Sequence, residues 1–145
     1  MQKDNTLNID KILEVLPHRH PFVLIDRILD FEPGIKITGL KNISYNEWYF
    51  QGLPAVLRIV PALILCEAVA QLGSMLVFPE EGTRGKLIYF TGIDRVRFRK
   101  PVRPGDGLAL SAGILRRKGR VGKFSVEGKV DGRVVFEGVM RFAVE

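Results

Sequence analysis

A twenty-residue apolar run, Ile59–Phe78, holds one charged side chain, Glu67, near its middle, with Gln71 one helical turn later. The run is long enough to cross a bilayer. A carboxylate at its centre, however, costs about 2.5–3.5 kcal/mol on insertion. The chain that follows also alternates in a way that needs a soluble core. The run therefore reads as a buried helix, starting near Pro61, a residue suited to a first helical turn, and ending before Pro79. A helix apolar all round must be covered on most sides.

The cover is written downstream. Leu108, Leu110, Ala112 and Ile114 fall on one face of a strand, and Phe124, Val126, Gly128 and Val130 on another. Asp131-Gly132 is a two-residue hairpin signal. Beyond it Val134, Phe136, Gly138, Met140, Phe142 and Val144 continue the alternation. Upstream, Asn8 and Asp10 are candidate caps for a short helix with Ile9, Ile12, Leu13 and Leu16 on its apolar face, stopped by Pro17. Val23–Phe31 reads as a buried strand, and Ile35 and Ile37 as a second one after the turn Pro33-Gly34. Ser44–Gly52 reads as a loop, and Glu80-Glu81-Gly82 as an exposed connection.

No linker or repeat divides residues 1–145, so a single domain is expected, large enough to bury roughly 70% of its unfolded surface. One long helix with five or six antiparallel strands makes an α+β domain. A curved sheet wrapped round the helix covers it, which is the hot-dog fold; a flat sheet leaves too much of Ile59–Phe78 exposed. Such a sheet keeps open edges, so a homodimer joined edge to edge is expected.

The formal charge of +6 suits an acidic macromolecular partner. Nucleic acid is the first candidate, but no basic helix, zinc spacing or aromatic RNA-binding motif accompanies the charge. An acidic carrier protein fits at least as well. Cys66 is the single cysteine, which excludes an internal disulfide and is compatible with a reducing cytoplasm. No apolar stretch follows the charge in Met1-Gln2-Lys3-Asp4-Asn5, so a cytoplasmic protein without a secretory signal is expected. Two histidines, His18 and His20, sharing one turn make no metal cage, and no glycine-rich nucleotide loop is evident, so neither metal nor cofactor is expected.

A carboxylate in an apolar run resists ionisation and suits acid/base work, which makes Glu67 the candidate catalytic residue. Its plain reading is a structural acceptor bonded to Gln71 at i+4. Cys66 points about 100° round the helix from Glu67 and reads as a core residue. His18 and His20 read as packing or capping groups. In Arg95-Val96-Arg97-Phe98-Arg99-Lys100, alternation puts Arg95, Arg97 and Arg99 on one face of a strand. That face is either ordinary solvated surface or a docking patch. Arg116-Arg117-Lys118-Gly119-Arg120 reads as a solvated hairpin tip.

Taken in order, a set of short motifs resembles the bacterial 3-hydroxyacyl-ACP dehydratases from about Ile9 to Val144. They are Leu16-Pro17-His18-Arg19-His20-Pro21-Phe22, Leu24-Ile25-Asp26-Arg27, Asn46-Glu47, Phe50-Gln51-Gly52 and Glu67-Ala68-Val69-Ala70-Gln71. Tyr89-Phe90, Gly92-Ile93-Asp94, Phe98-Arg99-Lys100-Pro101-Val102 and Pro104-Gly105-Asp106 complete them. Each is weak alone, and the ordered set is specific. The departure is concentrated between Leu53 and Ala62. Where the family reads His-Phe-Pro-Gly-x-Pro-x-Met-Pro-Gly, this chain reads Leu-Pro-Ala-Val-Leu-Arg-Ile-Val-Pro-Ala. Leu53 thus stands at the catalytic histidine, Val56 and Ala62 at two glycines and Arg58 at a proline, while Pro61 is kept.

The resemblance implies an acyl thioester substrate, delivered by acyl-carrier protein in fatty-acid biosynthesis. Glu67 is then the general acid that protonates the leaving hydroxyl. The base that takes the α-proton is a histidine from the other subunit, and Leu53 cannot take a proton. A backbone N–H at the helix start polarises the carbonyl, and the Ala62 Cβ hinders that approach. Gly52, Leu53, Arg58, Pro61, Ala62, Gln71 and Phe90 are the implied substrate-binding residues. Arg58 has three open readings: an anion ligand, an ion-pair partner of Glu67, or a solvated loop residue. Arg95, Arg97, Arg99, Lys100 and Arg103 are the implied docking residues for the acidic carrier and its phosphate. Three functions remain open: a thioester-binding protein whose dehydration is lost or crippled, alone or lending Glu67 to an active paralogue; a dehydratase with another base; and a thioesterase. Family members often assemble as trimers of dimers, which the resemblance carries over as an expectation.

Overall fold

The computed structural model describes residues 5–78 and 85–145. Residues 1–4 and the connection at Glu80-Glu81-Gly82 lie outside them. Helix α1 spans Ile9–Val15, with the Asn8 carboxamide accepting from the Lys11 N–H and burying Ile12, and Leu16 closes its C-terminus. Strands β1 (Arg27–Glu32) and β2 (Lys36–Asn42) follow, then the long helix α2 (Ala62–Ser74). Four longer strands complete the chain: β3 (Ile88–Phe98), β4 (Gly107–Lys118), β5 (Val121–Val130) and β6 (Arg133–Val144). All six pair antiparallel in one sheet of order β1-β2-β4-β5-β6-β3, curved about α2 in the hot-dog manner.

Alternation predicts the inner face well. Leu108, Leu110 and Ala112 of β4, Phe124 and Val126 of β5, and Met140, Phe142 and Val144 of β6 are all buried on the sheet's inner face. The Phe124 and Phe142 rings stack at 4.3 Å. At Gly73 the helix comes so near that a Cβ would lie 3.2 Å from the Phe124 ring. The hairpin signal is also met, with Asp131 and Gly132 at φ 49° and 73°, as a type I′ turn requires.

Two boundaries differ from the sequence reading. The first strand begins at Arg27 rather than Val23, because the Leu24 N–H is taken by the Gln71 side chain instead of a neighbouring strand. Helix α2 stops at Ser74 rather than running to Phe78. There the Ser74 hydroxyl donates to the Gln71 carbonyl, and Met75, Leu76 and Val77 close i→i+3 turns. The helix has thirteen residues, and no helix among the described residues is long and apolar enough to cross a membrane. Its first turn is also less covered than expected, leaving Leu63 74% exposed.

Candidate active site

The start of α2 is pinned from outside the helix. The Val60 N–H donates to the Val102 carbonyl at 2.8 Å, and Pro61 is the cap residue, one position earlier than a first-turn proline. The Ile64 and Leu65 N–H groups return to the Pro61 carbonyl, so Ala62 and Leu63 present the unpaired donors of the first turn. Beside them lies a hollow of about 510 Å³ lined by Ile59, Pro61, Ala62, Phe98 and Lys100.

Glu67 sits on the second turn and is neither isolated nor fully buried, in contrast to the picture of a carboxyl shut in an apolar run. Its Oε1 accepts from Gln71 Nε2 at 3.0 Å, and its side chain keeps 33% of its exposure. Gln71 is the buried hub. It accepts from the Leu24 N–H at 2.9 Å and donates to the Phe22 carbonyl at 2.8 Å, tying the helix to the segment before β1. The i+4 bond read from the sequence is present.

That same segment brings in a residue whose part the sequence did not reveal. His18 Nε2 lies 3.6 Å from Glu67 Oε1. The two are 49 positions apart, and no spacing rule links them. His18 is held by its surroundings: its ring lies 6.3 Å from Phe22, and Arg19 bonds the His18 and Leu16 carbonyls. His20 is exposed. Cys66 is buried as expected, and burial pushes its thiol up from the ordinary value.

A second polar cluster fastens the loop that carries Leu53. Lys41, nearly buried on β2, pairs with Glu47 at 2.5 Å and with Asp26 at 3.9 Å. Glu47 is the cap before a short 3-10 turn, Trp48–Phe50. Burial first, then the Glu47 and Asp26 charges, raise the Tyr49 phenol well above its ordinary value. The chain then turns through Gly52, at φ 75°, and the Leu53 N–H closes onto the Phe50 carbonyl. Leu53 is half-buried.

Arg58 is not an ion-pair partner of Glu67. Its guanidinium lies over the Tyr45 ring at 4.3 Å, a cation–π contact. Phe90, half-buried on β3, packs with its ring 6.2 Å from that of Phe124. Arg95, Arg97 and Arg99 share one side of the sheet by alternation with Val96 and Phe98, and a bulge with Arg95 at φ 53° sets that side outward. They line an outer groove of about 650 Å³ together with Lys36, Glu127 and Glu137, and Arg99 pairs with Glu137. Lys100 and Arg103 stand beyond the strand and are exposed, Lys100 at the hollow beside α2.

A curved antiparallel sheet and the helix it encloses define a hot-dog protein, here with a hydrogen-bonded carboxylate on that helix. Residues 16–139 match the model of the FabA-like domain. The 3-hydroxyacyl-[acyl-carrier-protein] dehydratase FabZ of Caldicellulosiruptor bescii is 44% identical over 138 residues, which cover 95% of this chain and 99% of that one. The chain belongs to the FabA-like family of 3-hydroxyacyl-ACP dehydratases. Among solved structures, the dehydratase heterocomplex ApeI:P from Xenorhabdus doucetiae superposes with a TM-score of 0.73 at 20% identity, covering 96% of this chain and 91% of that one. A mutant of thioesterase PA1618 from Pseudomonas aeruginosa gives 0.72 at 11% identity, covering 95% and 94%. At such identities these two likenesses are of fold alone.

Proposed function

We propose that this protein binds acyl thioesters delivered by acyl-carrier protein, at the first turn of α2, and that its dehydration is crippled. The observation that carries the reading is an intact network, Glu67–Gln71 tied to Phe22 and Leu24, in a chain whose Phe50-Gln51-Gly52 turn leads into an alkyl side chain, Leu53. The free N–H groups of Ala62 and Leu63 suit a thioester carbonyl or a phosphate. The apolar hollow beside them, with Lys100 at its edge, suits the pantetheine arm. The setting the family implies is fatty-acid biosynthesis in the cytoplasm.

A homodimer joined along β3 fits this reading. Edge strand β3 exposes Ile93 and Phe98 on the same side as the core, and Leu63 lies bare on α2. In the family each site takes its glutamate and its histidine from different subunits. An active paralogue paired with this chain then supplies the histidine and borrows Glu67. A second reading, thioester hydrolysis, is favoured by the exposure of Glu67, which leaves room for a water.

Binding tests the proposal. A carrier loaded with a non-hydrolysable acyl amide is expected to bind saturably, more weakly as salt rises. Arg97→Glu and Lys100→Glu are each expected to weaken binding by about three- to fivefold, as rim charges do. No saturation at low salt sinks the reading. Release of free thiol from an acyl thioester favours hydrolysis instead.

A further inference from the structure

We propose that His18 is a positioning residue for Glu67, so that a single subunit holds an oriented carboxylate that by itself catalyses slow hydration and dehydration of acyl thioesters. This rests on the thioester-binding reading above and names the group that acts there in place of a histidine at position 53.

The two oxygens of Glu67 are differently placed. Oε1 accepts from Gln71 at 3.0 Å and faces His18 at 3.6 Å, while Oε2 takes no hydrogen bond among the described residues. Both side chains are about a third exposed, 29% for His18 and 33% for Glu67. Oε2 is therefore the oxygen left without a protein donor, and the one we assign to the substrate. His18 Nδ1 is buried without a partner. An unpaired N–H there costs more than a bare nitrogen, so we place the ring proton on Nε2, aimed at Oε1. The separation is longer than a formed hydrogen bond, as catalytic contacts often are before substrate arrives. Together Gln71 and His18 hold the carboxyl plane from one side and leave the other oxygen free.

A complete reaction follows from Oε2 alone. The carboxylate takes the proton from Cα, and the electrons of that bond form the double bond as the Cβ–O bond breaks. The proton on Oε2 then passes to the departing oxygen, water leaves, and Glu67 is a carboxylate again. Hydration is the reverse, and no further reactant is needed. His18 touches neither reacting carbon in this scheme and acts through Glu67.

The test is crotonyl-thioester hydration by the full chain, with binding of a butyryl thioester measured alongside. Wild type is expected to turn over slowly, and Glu67→Gln to lose at least about 10²-fold. His18→Leu is expected to lose about tenfold in kcat, the low end for a hydrogen bond to a charged group, with butyryl binding unchanged. His18→Gln, whose amide N–H reaches the Nε2 position, is expected to recover most of that loss. His18→Leu matching wild type, or His18→Gln being as slow as His18→Leu, overturns the inference. Wild type that binds butyryl thioester without turnover also overturns it, yet leaves the binding function standing. Failure to bind butyryl thioester at all removes both.

Discussion

Leu53→His is expected to raise the rate of crotonyl-thioester hydration by about 10²-fold or more, the contribution of one placed general base. The site needs little else at that position. Gly52 already sits at φ 75°, and the Leu53 N–H already closes the turn onto Phe50. Lys41, Glu47 and Asp26 hold the loop from behind. Leu53 is half-buried, so an imidazole replaces an alkyl group of similar bulk without a new cavity. The gain is read as kcat at saturating thioester, with butyryl binding as the control for an intact site. Binding retained with no gain in rate assigns the loss to the whole segment between Leu53 and Ala62.

Phe124→Ala is expected to destabilise the protein by about 3–5 kcal/mol, the usual cost of deleting a buried aromatic ring. Phe124 is fully buried, stacked on Phe142 at 4.3 Å, near Phe90 and directly beneath Gly73 of α2. The facing helix position, Gly73, has no side chain to move into the void. Against a domain stability of about 5–15 kcal/mol this is a large fraction. Urea denaturation measures it as a lower midpoint with an unchanged slope. Val121→Ala, at an exposed position of the same strand, is the comparison and is expected to fall within about 0.5 kcal/mol of wild type. Equal midpoints for the two variants contradict the packing described.

Much of the fold was legible because burial imposes a period. Alternating side chains of β4, β5 and β6 identified their own inner face, and Asp131-Gly132 identified its turn. Ends of elements were less legible because side chains compete for backbone groups there. Gln71 takes the Leu24 N–H and delays β1, and Ser74 takes the Gln71 carbonyl as α2 ends. The basic face of β3 was legible from alternation, while the bulge at Arg95 that sets this face outward left no period to read.

What the sequence determined by itself is the family, the helix-in-sheet architecture, the Glu67–Gln71 pair and the alkyl residue after Phe50-Gln51-Gly52. All of these are local: a period, a pair one helical turn apart, or an ordered set of short motifs. Only the tertiary structure decided what surrounds the carboxylate. It brought His18 to Glu67 from 49 positions away, turned Arg58 onto Tyr45 instead, and left Glu67 a third exposed. The reason is physical: a residue's neighbours along the chain fix its backbone and its face. Which side chains from distant segments it meets, and how much water it keeps, is set by how those segments close over the helix.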